Sequence, residues 1–203
     1  VEHPDALYDF FRSIDVRFLQ FVPCVEKDPC DPARPAPFSI TPQQYGRFMC
    51  RIFDRWAAEG VGVRSIRLFD SVLSFLLYGV HTECTFARRC NDYLVVEHNG
   101  DVFCCDFYVA DDTRLGNIMD TPIEQLADSE LKHHFARRKT EIANKCLVCR
   151  YLEICRGGCP KDRAVLTGTH VAASYFCEGY KLFFDHALLQ LRAIARTIQG
   201  RKF

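Results

Sequence analysis

A chain of 203 residues with 48% hydrophobic content is long enough to bury one substantial core or two small ones. Its 26 basic and 26 acidic side chains balance to a formal net charge of zero, which argues against the cationic surface that nucleic-acid binding needs. The longest apolar run, residues 72–80, is interrupted by Ser74 and is far too short for a bilayer, so neither nucleic acid nor membrane is expected as a partner.

Residues 5–13 follow Pro4 with the periodicity of a short amphipathic helix. Residues 16–22 read as a buried strand stopped by Pro23, and a loop rich in Pro and Asp runs from Lys27 to Ser39. Thr41-Pro42-Gln43-Gln44 announces a helix: Thr41 caps, Pro42 fits the first position, and Gln44 returns the capping-box bond. Tyr45, Phe48, Met49, Ile52, Phe53 and Trp56 then repeat at helical spacing as a core stripe, and Gly60 ends the run. A strand at residues 63–69 and a short apolar helix from Asp70 to Tyr78 complete an alternation that fits parallel α/β packing. Beyond His81 the pattern changes. Residues 93–97 and 102–105 flank His98-Asn99-Gly100-Asp101, a strong hairpin signal. Residues 121–139 read as one helix with an acidic start and a basic end, and residues 178–199 as a closing amphipathic helix.

Twelve cysteines without a signal-peptide pattern shift the reading from disulfides to metal, in a cytoplasmic protein. Val1 in place of an initiator Met suggests a fragment of a longer product. Eight of the cysteines form a ladder: Cys84, Cys90, Cys105, Cys146, Cys149, Cys155, Cys159 and Cys177. Four thiolates at the spacing of Cys146 to Cys159 converge with little loop-closure cost, and eight make two four-thiolate sites. Spacing alone leaves two structural zincs and two iron–sulfur clusters both open. Cys50 and Cys104 read as buried small side chains, while Cys24, just past a strand end, is left open.

The ladder's intervals of five, fourteen, forty, two, five, three and seventeen residues resemble the SPASM domain of radical S-adenosylmethionine (SAM) enzymes. The text around it resembles the anaerobic sulfatase-maturating branch: Val96-Glu-His-Asn-Gly-Asp-Val102, Cys105-Asp-Phe-Tyr-Val109, Leu115-Gly-Asn-Ile118 and Cys155-Arg-Gly-Gly-Cys-Pro-Lys-Asp-Arg163, with Gln20-Phe-Val-Pro23 and Thr41-Pro-Gln-Gln-Tyr-Gly46 upstream. The resemblance implies an α/β chain in which residues 1–80 end a partial (β/α) radical SAM barrel. Residues 81–203 would form a small α+β SPASM domain with a β-hairpin, two four-cysteine cluster sites and the closing helix.

It further implies two auxiliary [4Fe-4S] clusters, one on Cys84, Cys90, Cys105 and Cys159, the other on Cys146, Cys149, Cys155 and Cys177. The intact enzyme would hold SAM and a third [4Fe-4S] cluster. It would draw on a reductant such as flavodoxin or ferredoxin, and oxidise a Cys or Ser of a sulfatase polypeptide to Cα-formylglycine while the auxiliary clusters accept the electron. Asp106 would be the general base, or else serve only its own turn. Val25 would lie against the SAM adenine, or be a core valine. Gln20 and Glu26 face the barrel mouth, or are a buried amide and a solvated acid; Lys161 and Arg163 meet a cluster's negative charge, or lie on the surface. The Cys-x3-Cys-x2-Cys motif that binds the SAM cluster is absent from the sequence, so this chain alone is expected to be inactive. A SPASM maturase of another peptide, or a non-catalytic iron–sulfur or zinc module, are the competing readings.

Overall fold

The structure, a computed structural model, describes residues 1–200. Helix α1 (Pro4–Ser13) starts on proline with Asp5 in its first turn and Arg12 in its last, both favourable to the helix dipole. It is followed by β1 (Phe18–Leu19), α2 (Pro42–Glu59), β2 (Ser65–Ile66) and α3 (Arg67–Tyr78). The capping box at Thr41 is formed: Gln44 N–H donates to Thr41 Oγ1 at 3.1 Å and Thr41 N–H to Gln44 Oε1 at 2.8 Å. β1 and β2 pair in parallel, Phe18 opposite Ser65, with α2 in the connection between them, as the helix–strand alternation predicts.

The segment expected as a buried strand differs. Only two of its residues pair, and alternation across the pleat puts Leu19 inside while Phe18 stands 82% exposed and Val22 and Gln20 are also exposed. α3 also begins at Arg67, three residues earlier than expected, which shortens the strand before it.

Helix α9 (Cys177–Gly200) lies along α2 and α3. Its crossing with α2 is close because both helices present glycine: a Cβ on Gly179 would stand 2.3 Å from Pro42 O, and one on Gly46 2.9 Å from Gly179 O. Around this crossing Phe69 stacks on Phe183 at 5.5 Å, with Phe53 edge-on to both. One contiguous buried cluster takes in α2, α3, α9, Phe86, Tyr151 and Ile154, so it draws on both sides of residue 80.

The small sheet comprises β3 (Val95–Val96), β4 (Asp101–Phe103) and β5 (Arg114–Asn117), all antiparallel, in the order β3-β4-β5. The expected hairpin is β3–β4; β5 was not expected, because its Arg-Leu-Gly-Asn carries no strand pattern. The turn holds itself: Asp101 accepts from Asn99 Nδ2 at 2.9 Å and Asn117 Nδ2 at 3.0 Å and pairs with Arg114. These bonds, the Arg114 one foremost, hold its carboxyl down at about 2. The helix expected over 121–139 is two, α4 (Ile123–Ala127) and α5 (Glu130–Arg137). Ser129 between them accepts from Lys132 N–H as a cap, which starts a new helix rather than continuing the first. The three short helices α6 (Asn144–Leu147), α7 (Leu152–Cys155) and α8 (Pro160–Ala164) lead into α9. No helix among the described residues is long and apolar enough to cross a membrane.

Candidate metal centres

All twelve cysteines are free of disulfides. Cys146 lies in α6, Cys149 just after it, Cys155 at the end of α7, and Cys177 opens α9. These four line one cavity of about 60 Å³ with Lys145, Lys181, Ser174, Tyr151 and Tyr180 and no carboxylate or imidazole. Such a donor set, four soft thiols with two ammonium groups nearby, fits zinc or an iron–sulfur cluster and suits no hard cation. Among the described residues no three side chains already stand at ligand spacing about one point, so closure on a metal would take rotamer changes of these thiols.

The remaining four lie outside that cavity. Cys84 and Cys90 follow α3, Cys105 leaves β4, and Cys159 caps α8. They act on one another electrostatically: Cys90 on Cys84, Cys159 on Cys105, and Cys90 on Cys159. The backbone between Cys155 and Cys159 reverses through Arg156, Gly157 and Gly158 at φ +50°, +77° and +72°. Glycine is needed here twice over, since a Cβ on Gly157 would meet Arg163 Nη2 at 2.9 Å. This reversal separates Cys155, which lines the cavity, from Cys159, which does not.

Burial raises these thiols. Cys105, Cys155 and Cys159 are each pushed up to about 12, and Cys84, Cys90 and Cys177 move the same way. Such thiols stay protonated at neutral pH unless a metal cation displaces the proton.

Asp106 is exposed, and its Oδ1 accepts from Cys105 Sγ at 3.2 Å and from Phe107 N–H at 3.1 Å. Both readings of this residue therefore find an observation: it touches a quartet thiol and it holds its own turn. Val25 is fully buried in the main core, and its carbonyl accepts from Lys161 Nζ. Lys161 also donates to Glu26 Oε1 at 2.6 Å and lies over the Phe107 ring, so it ties the Asp106 turn to the segment after β1. Cys104 is buried, whereas Cys50 is only half-buried, its Sγ near Leu182 O at 3.7 Å. Cys24 and Cys30 are exposed.

Residues 84–150 match the SPASM family model, described as an iron–sulfur cluster-binding domain. Over 200 residues the chain is 34% identical to the cysteine-type anaerobic sulfatase-maturating enzyme of Clostridium perfringens, covering 97% of this chain and 54% of that enzyme. It is 35% identical to the serine-type enzyme of Bacteroides thetaiotaomicron, covering 91% and 48%. The solved structure of native anSMEcpe with bound AdoMet and Cp18Cys peptide superposes with a TM-score of 0.85 at 33% identity, over 97% of this chain and 55% of that one. Residues 84–150 are thus a SPASM domain, and the chain is similar along its length to anaerobic sulfatase-maturating enzymes.

The chain spans about half the length of the curated relatives it matches. The SPASM match takes in five of the eight ladder cysteines; Cys155, Cys159 and Cys177 lie beyond its end. Three cations around the SPASM cysteines escaped the sequence reading or were left ambiguous by it. Lys132, Lys139 and Arg163 are 1%, 2% and 1% exposed. Lys132 donates to Tyr93 O and Cys104 O, and Lys139 to Cys84 O at 2.6 Å, Thr85 O at 2.7 Å and Gly158 O at 3.3 Å. Among the described residues none of the three has a carboxylate within 4.0 Å. Lys132 and Lys139 belong to the basic end of the helix expected over 121–139, which reads equally well as a solvated face, and Arg163 was left between a cluster's counter-charge and the surface.

Proposed function

We propose that this chain is the auxiliary-cluster portion of an enzyme that oxidises an active-site Cys or Ser of a sulfatase to Cα-formylglycine. The observation that carries the reading is the Asp106 carboxylate, exposed and 3.2 Å from Cys105 Sγ, in a chain about one third identical to sulfatase-maturating enzymes. Residues 1–80 are the end of the barrel and the remainder the SPASM domain. Cys84, Cys90, Cys105 and Cys159 hold one [4Fe-4S] cluster, and Cys146, Cys149, Cys155 and Cys177 hold the second. When bound, the clusters supply one-electron redox chemistry and SAM the radical that takes a Cβ hydrogen, in concert with a third cluster whose Cys-x3-Cys-x2-Cys site this sequence does not contain.

The chain's own residues have separate tasks. Asp106 takes the substrate thiol or hydroxyl proton on its carboxylate. Phe107 N–H and the Lys161 bridge hold its turn in place. Val25 would lie against the adenine of SAM. The substrate is a sulfatase polypeptide, the reductant a flavodoxin or ferredoxin, and the compartment the cytoplasm.

Iron, labile sulfide and zinc per chain, with a visible spectrum, test this on anaerobically purified protein. About eight irons with matching sulfide are expected, on the count of four per four-cysteine site. Stoichiometric zinc without sulfide after iron-replete anaerobic expression would overturn it.

A further inference from the structure

Arg163 is a buried cation with no carboxylate within 4.0 Å among the described residues. Its Nε donates to Gly157 O at 2.9 Å. Nη1 reaches Lys139 O at 3.3 Å, Glu141 O at 2.8 Å and His170 O at 3.4 Å, and Nη2 reaches Arg156 O at 2.7 Å and Gly158 O at 3.1 Å. Every acceptor is a backbone carbonyl, which a neutral donor would satisfy as well. A guanidinium remains protonated in a protein interior, and an unpaired buried charge costs far more than an unpaired dipole. Three of those carbonyls, Arg156 O, Gly157 O and Gly158 O, belong to the turn between Cys155 and Cys159, one thiol of each proposed site, and Cys146 and Cys90 act on the guanidinium as well. Four thiolates around either zinc or an iron–sulfur core leave a net negative centre. α8 thus inserts a permanent cation between two sites that become anionic only when filled.

We infer that Arg163 is the shared counter-charge of both cluster sites, setting their stability and reduction potentials together, with Lys139 acting on the first site alone. This rests on the cluster reading above. Lys139 serves as the internal comparison, because the thiols that act on it are Cys90, Cys159 and Cys84, all of the first quartet. Lys139 also acts on the buried Asp162 carboxyl, a partner Arg163 does not share. A fixed positive charge favours the reduced, more negative form of a nearby cluster, so its removal lowers the potential.

The test is an anaerobic redox titration, followed by electron paramagnetic resonance, of iron-loaded wild type, Arg163→Gln, Arg163→Lys and Lys139→Met, after iron and sulfide analysis of each. Cys149→Ser, which alters only the second site, assigns the two signals. Arg163→Gln should lower both potentials, the reduced-to-oxidised ratio at fixed potential falling about tenfold, or about 59 mV for a one-electron couple. Arg163→Lys should keep both potentials near wild type while losing thermal stability with the carbonyl bonds. Lys139→Met should lower the first potential only. Unchanged potentials in iron-loaded Arg163→Gln would overturn the inference. Should that variant not retain iron, an unchanged first potential in Lys139→Met, or lowered potentials in charge-conserving Arg163→Lys, would overturn it instead. Wild type without iron and sulfide would sink the cluster reading, a separate outcome.

Discussion

Asp106 Oδ1 takes both of the residue's hydrogen bonds, one from the Cys105 thiol and one from the backbone of Phe107. A carboxamide at this position keeps an oxygen for the Phe107 N–H, the bond that survives once Cys105 is a thiolate ligand, and loses the ability to accept a proton, so it separates the turn-holding role from the basic one. In the enzyme that comprises this chain and its upstream portion, Asp106→Asn should leave iron content unchanged. It should reduce formylglycine formation on a sulfatase peptide by about 10²-fold or more, the usual scale of general-base loss. Peptide mass spectrometry alongside iron analysis checks both halves. Equal loss of iron and activity would mark the residue as structural. Asp106 was legible because it follows a ladder cysteine inside family-like text; the pairing of Lys161 with Glu26, 135 positions apart in sequence, was not.

The α2–α9 crossing links helix packing to a metal site, since α9 begins on Cys177 and Gly179 touches Pro42 O within the first turn of α2. Gly179→Ala would raise the helix propensity of α9 and yet force the two helices apart. Overpacking of this kind costs about 1–3 kcal/mol, against roughly 1 kcal/mol gained in propensity. The expected result is a lower melting temperature together with less iron at the second site, read by calorimetry and by the cluster's spectrum. A variant that melts higher with full iron would show that the crossing has room to spare. The α2 face that makes this crossing was readable from its aromatic repeat and capping box. Its glycine contact was not, because Gly46 looks like any helical glycine until a second helix approaches.

At the scale of the molecule, two kinds of structure share one chain. α2, α3 and α9 bury an aromatic cluster centred on Phe53, Phe69 and Phe183. Between residues 84 and 176 the longest helix is α5 at eight residues, and the sheet strands run two to four residues. Elements that short are marginal without tertiary support or metal. Removing iron by chelation should therefore leave the amides of α2, α3 and the middle of α9 protected from hydrogen exchange. Those of residues 84–176 should exchange many-fold faster, a difference that mass spectrometry resolves by segment. Uniform protection after chelation would mean the SPASM segment folds without its clusters.

The sequence by itself determined the long helices, the hairpin turn at Asn99-Gly100 and the eight-cysteine ladder. Each of these is written locally, in side-chain period, caps, turn residues or spacing. Tertiary structure alone decided three other features. Phe18 faces outward because alternation across the pleat leaves it opposite Leu19, which the core takes. β5 exists because β4 offers it an edge. Arg163 and Lys139 are buried because carbonyls from distant turns converge on them. A cation's place inside or outside depends on which backbone folds back to meet it, and no local spacing encodes that convergence.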